Sequence, residues 1–183
     1  MNQKYLGDSY DIVKRFLAEG LRPIAPLFAH SRFIPEMISV SYSLVTAMPI
    51  LNPTGRLPQK PFGLLLDPNT GIPLPNELVQ PPTVKHTPLD YIVRIYDELK
   101  PEYLICFDQS YHRKHELSKQ MQMEKKRCYL RDKGFYSFYY ESQAPFLFIS
   151  RKSEVLGSIR KWLLSTGIPE SRINPTNNLQ WKP

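Results

Sequence analysis

The residues best placed to do chemistry are four carboxylates, a lysine and a histidine. Asp8, Asp11 and Lys14 stand three residues apart, so each pair of neighbours can share one face of a helix. Asp67 follows the apolar run Phe62-Gly63-Leu64-Leu65-Leu66, and Asp108 follows Tyr103-Leu104-Ile105-Cys106-Phe107. Each run reads as a buried strand that delivers a carboxylate to the edge of a sheet. Pro68 and Gly71 then turn the chain away after Asp67. Oxygen ligands of this kind suit Mg²⁺, which makes Asp8, Asp11, Asp67 and Asp108 candidate metal ligands. A metal there would polarise a phosphate and lower the pKa of an attacking water. Lys14 or Arg113 would steady the developing charge, and His112 would serve as general acid or base near neutral pH. The catalytic set on this reading is Asp67, Asp108, His112 and Lys14, and the chemistry is that of a metal-dependent phosphodiesterase or nuclease. The same acids also have plainer duties. Asp8 and Asp11 can cap a helix or face its dipole, and Asp67 and Asp108 can close turns.

The charge balance points to a polyanionic partner. The chain of 183 residues has a net charge of +7, and nucleic acid is the first such partner to consider. Between Arg113 and Lys133 eight Lys/Arg face three acids, which concentrates most of the excess on one predicted helix. Arg113, Lys114, Lys119, Lys125, Lys126 and Arg127 are the candidate phosphate contacts, with binding that weakens as salt rises. The alternative is a solvated basic surface. Phe135, Tyr136, Phe138, Tyr139 and Tyr140 either stack bases or pack as core.

The elements that must position these groups follow from periodicity. A helix opens at Asp8 or Ser9, carries Ile12, Val13, Phe16 and Leu17 as its apolar stripe, and ends at Gly20. Pro23 to Phe28 is predicted as a first strand, with His30, Ser31 and Arg32 in the loop after it. Ile34 to Met37 reads as a turn of helix. Ser39 to Val45 alternates and is predicted as a strand, and Pro49 to Pro61 as loop. The stretch 72–87 is proline-rich and irregular. Thr87 is predicted to cap a helix over Leu89 to Leu99, with Pro88 in its first position. A long basic helix is expected from Lys114 to Asp132. Phe135 to Tyr140 and Pro145 to Ser150 read as an antiparallel strand pair. Val155 to Leu164 is a last helix, capped by Ser153, and the tail 169–183 is expected to be loose.

This order predicts one α/β domain over residues 1–183. The fold expected is three-layer and Rossmann-like, a mostly parallel sheet with a C-terminal antiparallel strand pair. Ligands in such sheets bind at the carboxyl ends of the strands. No apolar run is long enough for a membrane span, and Met1 to Tyr5 lack the apolar core of a signal peptide. The two cysteines, Cys106 and Cys128, form neither a disulfide framework nor a metal-binding pair. The expectation is a reduced, cytoplasmic protein.

Two segments carry a resemblance. Lys4-Tyr5-x-Gly7-Asp8-x-x-Asp11-x-x-Lys14 and Asp67-Pro68-Asn69-Thr70-Gly71 resemble a little-characterised bacterial family with a KYxGDxxDxxK start and a DPDNG loop. More distantly, the layout is similar to class I methyltransferases, in which a strand ending in DPPY precedes helix, strand, helix and an antiparallel pair. Ribosomal RNA adenine methyltransferases with a GNxADVxKH start are the nearest comparison, over residues 62–165 and the opening helix. That resemblance implies S-adenosylmethionine as cofactor, with Asp67 and Asn69 beside the target amino group. Asn69-Thr70 stand where that family has an aromatic residue, and Phe28-Ala29-His30-Ser31-Arg32 stand where it has a glycine loop. The sequence therefore leaves open a metal-dependent nuclease, a methyltransferase-like protein acting on nucleic acid, degenerate or not, and a non-catalytic binding or assembly protein.

Overall fold

The computed structural model describes residues 6–75, 83–111 and 116–173. Its elements in chain order are α1 (Ser9–Gly20), β1 (Leu27–His30), α2 (Ser39–Thr46), β2 (Ile50–Leu51), β3 (Gly63–Leu66), α3 (Leu89–Leu99), β4 (Tyr103–Phe107), α4 (Lys119–Asp132), β5 (Tyr136–Glu141), β6 (Pro145–Ser150) and α5 (Ser153–Ser165). The strands form one sheet in the order β2-β1-β3-β4-β6-β5. β1 to β4 run parallel, while β6 runs antiparallel between β4 and β5. This is the expected Rossmann-like α/β fold. The chain leaves β1 for β2 on one side and for β3 on the other, so the topological switch point lies between β1 and β3.

Alternation along the strands builds two cores. Ala29, Leu65, Ile105, Phe138 and Phe148 face α1, α2 and α5, where Leu17, Tyr42, Leu156 and Ile159 pack on them. Leu64, Leu66, Cys106, Tyr139 and Leu147 face α3 and α4, against Ile92, Ile95, Met123 and Leu130. With both faces covered, the central strands read as continuous apolar runs. No helix among the described residues is long and apolar enough to cross a membrane.

Several expectations are corrected. Ser39 to Val45 is helix α2, not a strand. Its alternation is a helical pattern in which Met37, Val40 and Leu44 stay exposed while Tyr42 and Thr46 are buried, so the apolar residues that mimicked a strand face do not enter the core. The loop after Pro49 contains the short edge strand β2. Thr87 does not cap α3: Pro88 holds the N-cap position, and the Thr87 hydroxyl is buried without a hydrogen bond. Ser153 is the first residue of α5 and Lys152 its N-cap, without a side-chain bond. Gly20 closes α1, but not through a left-handed turn, since the next residue, Leu21, is right-handed. A Cβ at Gly20 would run into the Trp162 ring, so glycine there admits α5. The helix expected from Lys114 is described from Lys119 onward. Residues 169–173 are not loose. They form a short 3-10 turn, and buried Ile173 bridges to Tyr140 at the β5 edge.

Candidate functional site

Asp67 and Asp108 end neighbouring parallel strands, as anticipated, but on opposite faces of the sheet. Leu66 pairs with Cys106, so Asp67 is level with Phe107 and Asp108 lies one residue further. Successive side chains point to opposite faces. Asp67 therefore turns toward α1 and α2, and Asp108 toward α4. Each meets its own buried lysine.

On the first face, Lys14 Nζ donates to Asp67 Oδ2 at 2.7 Å and to Asp11 Oδ1 at 3.0 Å. Tyr42 donates its hydroxyl to the same Asp67 Oδ2 at 3.1 Å, and the Gly7 amide donates to Asp11 Oδ2 at 2.7 Å. Lys14, Asp11, Asp67 and Tyr42 are all buried. Lys14 also lies 5.5 Å from the Phe107 ring centroid, a cation–π contact. Burial opposes the Lys14 charge, but Asp67 and Asp11 outweigh it and raise its pKa. Burial raises the Asp11 carboxyl, with Lys14 pulling the other way. Burial and then Asp67 push the Tyr42 phenol far up, so it stays a donor. One ammonium faces two carboxylates, and the cluster is formally negative. Asp67 Oδ1 accepts no hydrogen bond among the described residues.

On the second face, Asp108 is saturated. Oδ1 accepts from the amides of Ile72 at 2.9 Å and Ser110 at 3.1 Å. Oδ2 accepts from Lys126 Nζ at 2.8 Å and from the Tyr139 hydroxyl at 2.8 Å. These contacts use the acceptor capacity of a carboxylate. Gly71 lies against this knot with φ +120, and a Cβ on it would come within 2.5 Å of Asp108 Oδ1. The ion pair thus pins the loop after β3 to β4 and α4.

The other predicted residues divide accordingly. Asp8 caps α1, accepting from the amides of Tyr10 and Asp11, and does not join Asp67. Lys14 is committed to two carboxylates rather than turned to a phosphate. Lys126 is buried on Asp108 and presents no charge to solvent. Lys119 pairs with Glu141 at 2.5 Å, and Arg127 with Glu124 at 2.8 Å. Lys125 remains exposed. The basic helix therefore spends much of its charge internally. His112, Arg113 and Lys114 lie outside the described residues.

The proposed cofactors can be tested against these groups. Among the described residues no group of three or more His, Cys, Asp or Glu is placed to hold a metal ion. Asp108 has no free lone pair for one, and it faces away from Asp67. The donor set does not fit a shared Mg²⁺. S-adenosylmethionine needs close backbone approach after β1. There His30, Phe33 and Ile34 are buried and fill the turn, and no glycine opens it. The turn does not fit that cofactor either.

Sequence reasoning gave His30 only a place in a loop and missed Tyr91 and Arg94. His30 ends β1, buried, with Nδ1 accepting from the Arg32 amide at 3.1 Å and Nε2 3.2 Å from the Tyr91 hydroxyl. Burial, followed by the Arg32 charge, lowers its pKa to about 4. The imidazole is neutral, its proton is on Nε2, and it donates to Tyr91. The Arg32 and Arg94 guanidinium carbons lie 5.6 Å and 5.2 Å from the Tyr91 ring centroid. No protein family, no curated protein and no solved structure matches the chain.

Proposed function

We propose that this is a degenerate, methyltransferase-like protein that acts on nucleic acid by holding a base at the carboxyl end of β3. The observation that carries the reading is the Asp67 carboxylate. One oxygen is fixed by Lys14 and Tyr42, and the other is left to accept from a donor such as the exocyclic amino group of adenine, guanine or cytosine. Three features support it. The strand ends in Asp-Pro beside the switch point, where ligands of such folds bind. The sheet closes with the reversed strand pair that the methyltransferase resemblance implies. The negative cluster favours a hydrogen-bond donor over a phosphate at this point. Phosphate contacts then fall to cations on the rim, such as Arg32 and Lys85, which are exposed in the segments after β1 and β3. The nuclease reading has less support, because its two strand-end acids face opposite ways.

Fluorescence anisotropy with single-stranded oligonucleotides tests the proposal. Wild type is expected to bind oligo-A and oligo-C more tightly than oligo-U. In Asp67→Asn the amide oxygen takes the Lys14 and Tyr42 bonds and an N–H₂ replaces the free acceptor. The variant also leaves Lys14 and Asp11 as a balanced pair, so it is expected to fold. Its preference for amino-bearing bases should vanish. Equal wild-type binding to all three oligonucleotides, or none to any, would sink the reading.

A further inference from the structure

We propose that Arg32 and Arg94, both held on the ring of Tyr91, form a phosphate subsite for single-stranded nucleic acid at the carboxyl end of β1. The inference rests on the nucleic-acid reading above and names the contact that positions the strand.

The pedestal is rigid. Tyr91 is buried to 6% exposure, and its ring meets His30 and Phe33 edge to face at 6.2 Å and 6.3 Å. Its oxygen is fixed by the neutral His30 described above, and that imidazole is fixed in turn by the Arg32 amide. A histidine held this way adds no charge of its own, so it orients the phenol without repelling a cation. The two guanidinium groups are the charged part. They approach the same ring from different elements, Arg32 from the segment after β1 and Arg94 from α3. Each gains a cation–π contact there, which limits its freedom before any ligand arrives. Pre-ordered guanidinium forks match phosphate oxygens.

Little acid is positioned to neutralise them. Glu98 lies 3.8 Å from Arg94, and both side chains are more than half exposed, a pair that contributes little in water. Asp90, at the start of α3, already accepts from the Tyr129 hydroxyl. The position also suits the proposal. Ala29 of β1 pairs with Leu65 of β3, so the segment that carries Arg32 leaves the sheet beside the strand that carries Asp67. A strand whose phosphate rests over Tyr91 has its next bases at the β3 edge.

The test is the salt dependence of binding, read by anisotropy with mixed-sequence single-stranded DNA and RNA dodecamers. The proteins are wild type, Arg32→Ala, Arg94→Ala, the double variant and Lys125→Ala. Each lost phosphate contact should make the slope of log K against log salt less negative by about 0.7, and the double variant by about 1.4. Lys125→Ala, on the exposed face of α4, should leave the slope unchanged. Both arginines are exposed, so an unchanged melting temperature is expected and confirms that the variants fold. If wild type binds neither dodecamer, this subsite and the nucleic-acid reading fall together. If wild type binds with the base preference set by Asp67 but the double variant keeps the wild-type slope, the subsite alone is wrong. A loss of slope confined to Lys125→Ala would return the phosphate contact to α4.

Discussion

Lys125 and Lys126 are adjacent, carry the same charge, and should behave in opposite ways. Lys126 is 1% exposed and sits on Asp108, while Lys125 is exposed on the other side of α4. Lys126→Ala removes the ammonium but leaves a buried carboxylate, still bonded to Tyr139 and to the Ile72 and Ser110 amides. Breaking a buried pair by deleting one partner costs roughly 3–5 kcal/mol. The remaining donors soften the loss, so about 3 kcal/mol is the expected value. With a urea slope of about 2 kcal/mol per molar, the unfolding midpoint should fall by about 1.5 M. Lys125→Ala should move stability by no more than about 0.5 kcal/mol, a midpoint shift near 0.25 M. Replacing both partners, Asp108→Asn with Lys126→Met, should recover most of the loss, because no uncompensated charge then stays buried. Equilibrium urea unfolding followed by circular dichroism gives all of these numbers. Equal midpoints for Lys125→Ala and Lys126→Ala would refute the assignment of Lys126 as an internal counter-ion.

Three further predictions rest on single observations. The His30 pKa near 4 lies below the unfolded value of about 6.5, so the unfolded chain binds the proton more tightly between those values. Stability should be complete above about pH 6.5 and fall by about 3 kcal/mol toward pH 4. Asp11, raised by burial, works the other way in the acid part of that window. His30→Gln should flatten the slope in a series of urea titrations across pH, and a slope identical to wild type would show that His30 is not the group responsible. Gly71→Ala places a Cβ at φ +120 against Asp108, and a loss above about 2 kcal/mol is expected; a neutral effect by thermal melting would mean the loop can yield. Tyr42→Phe removes one of the two donors on Asp67 Oδ2, and should cost about 1–2 kcal/mol by chemical denaturation. No loss at all would argue against that bond.

Much of the scaffold is legible in the sequence because burial on both faces writes itself as unbroken apolar runs. Gly63–Leu66, Tyr103–Phe107 and Pro145–Ser150 are strands for that reason, and consecutive parallel strands joined by a helix tend to pair. What the sequence does not encode locally is register. Whether Asp67 and Asp108 share a face depends on Leu66 pairing with Cys106, a relation between segments that no local pattern contains. The role of Lys126 did leave a trace. Met123, Lys126 and Leu130 are spaced three and four apart and share the buried face of α4, so a helical count places this lysine inside. Summing charge along α4 hid that, because a sum does not separate a paired ammonium from a free one. Tyr42 was hidden differently: exposed Val40 and Leu44 imitate strand alternation, and only the packing of α2 against α1 turns the tyrosine inward.

The two strand-end acids look alike in sequence and differ in the number of donors around them. Asp108 receives two amides, an ammonium and a phenol, which leaves it no capacity and fixes three segments together. Asp67 receives an ammonium and a phenol on one oxygen, and shares that ammonium with Asp11. A buried cluster with two acids and one base is under-compensated, and burying excess charge is costly unless something supplies the missing donor. Protonation of Asp11 is one remedy, consistent with its raised pKa. A ligand N–H on Asp67 is the other. The two remedies make opposite forecasts for pH. If a ligand supplies the donor, its binding should weaken as Asp11 takes up a proton, because the cluster then needs the ligand less. If Asp11 alone balances the charge, acidification should stabilise the free protein and leave base preference untouched. Measuring oligonucleotide affinity and folding stability together between pH 5 and 7, in the presence of the neutral His30→Gln change, separates these cases.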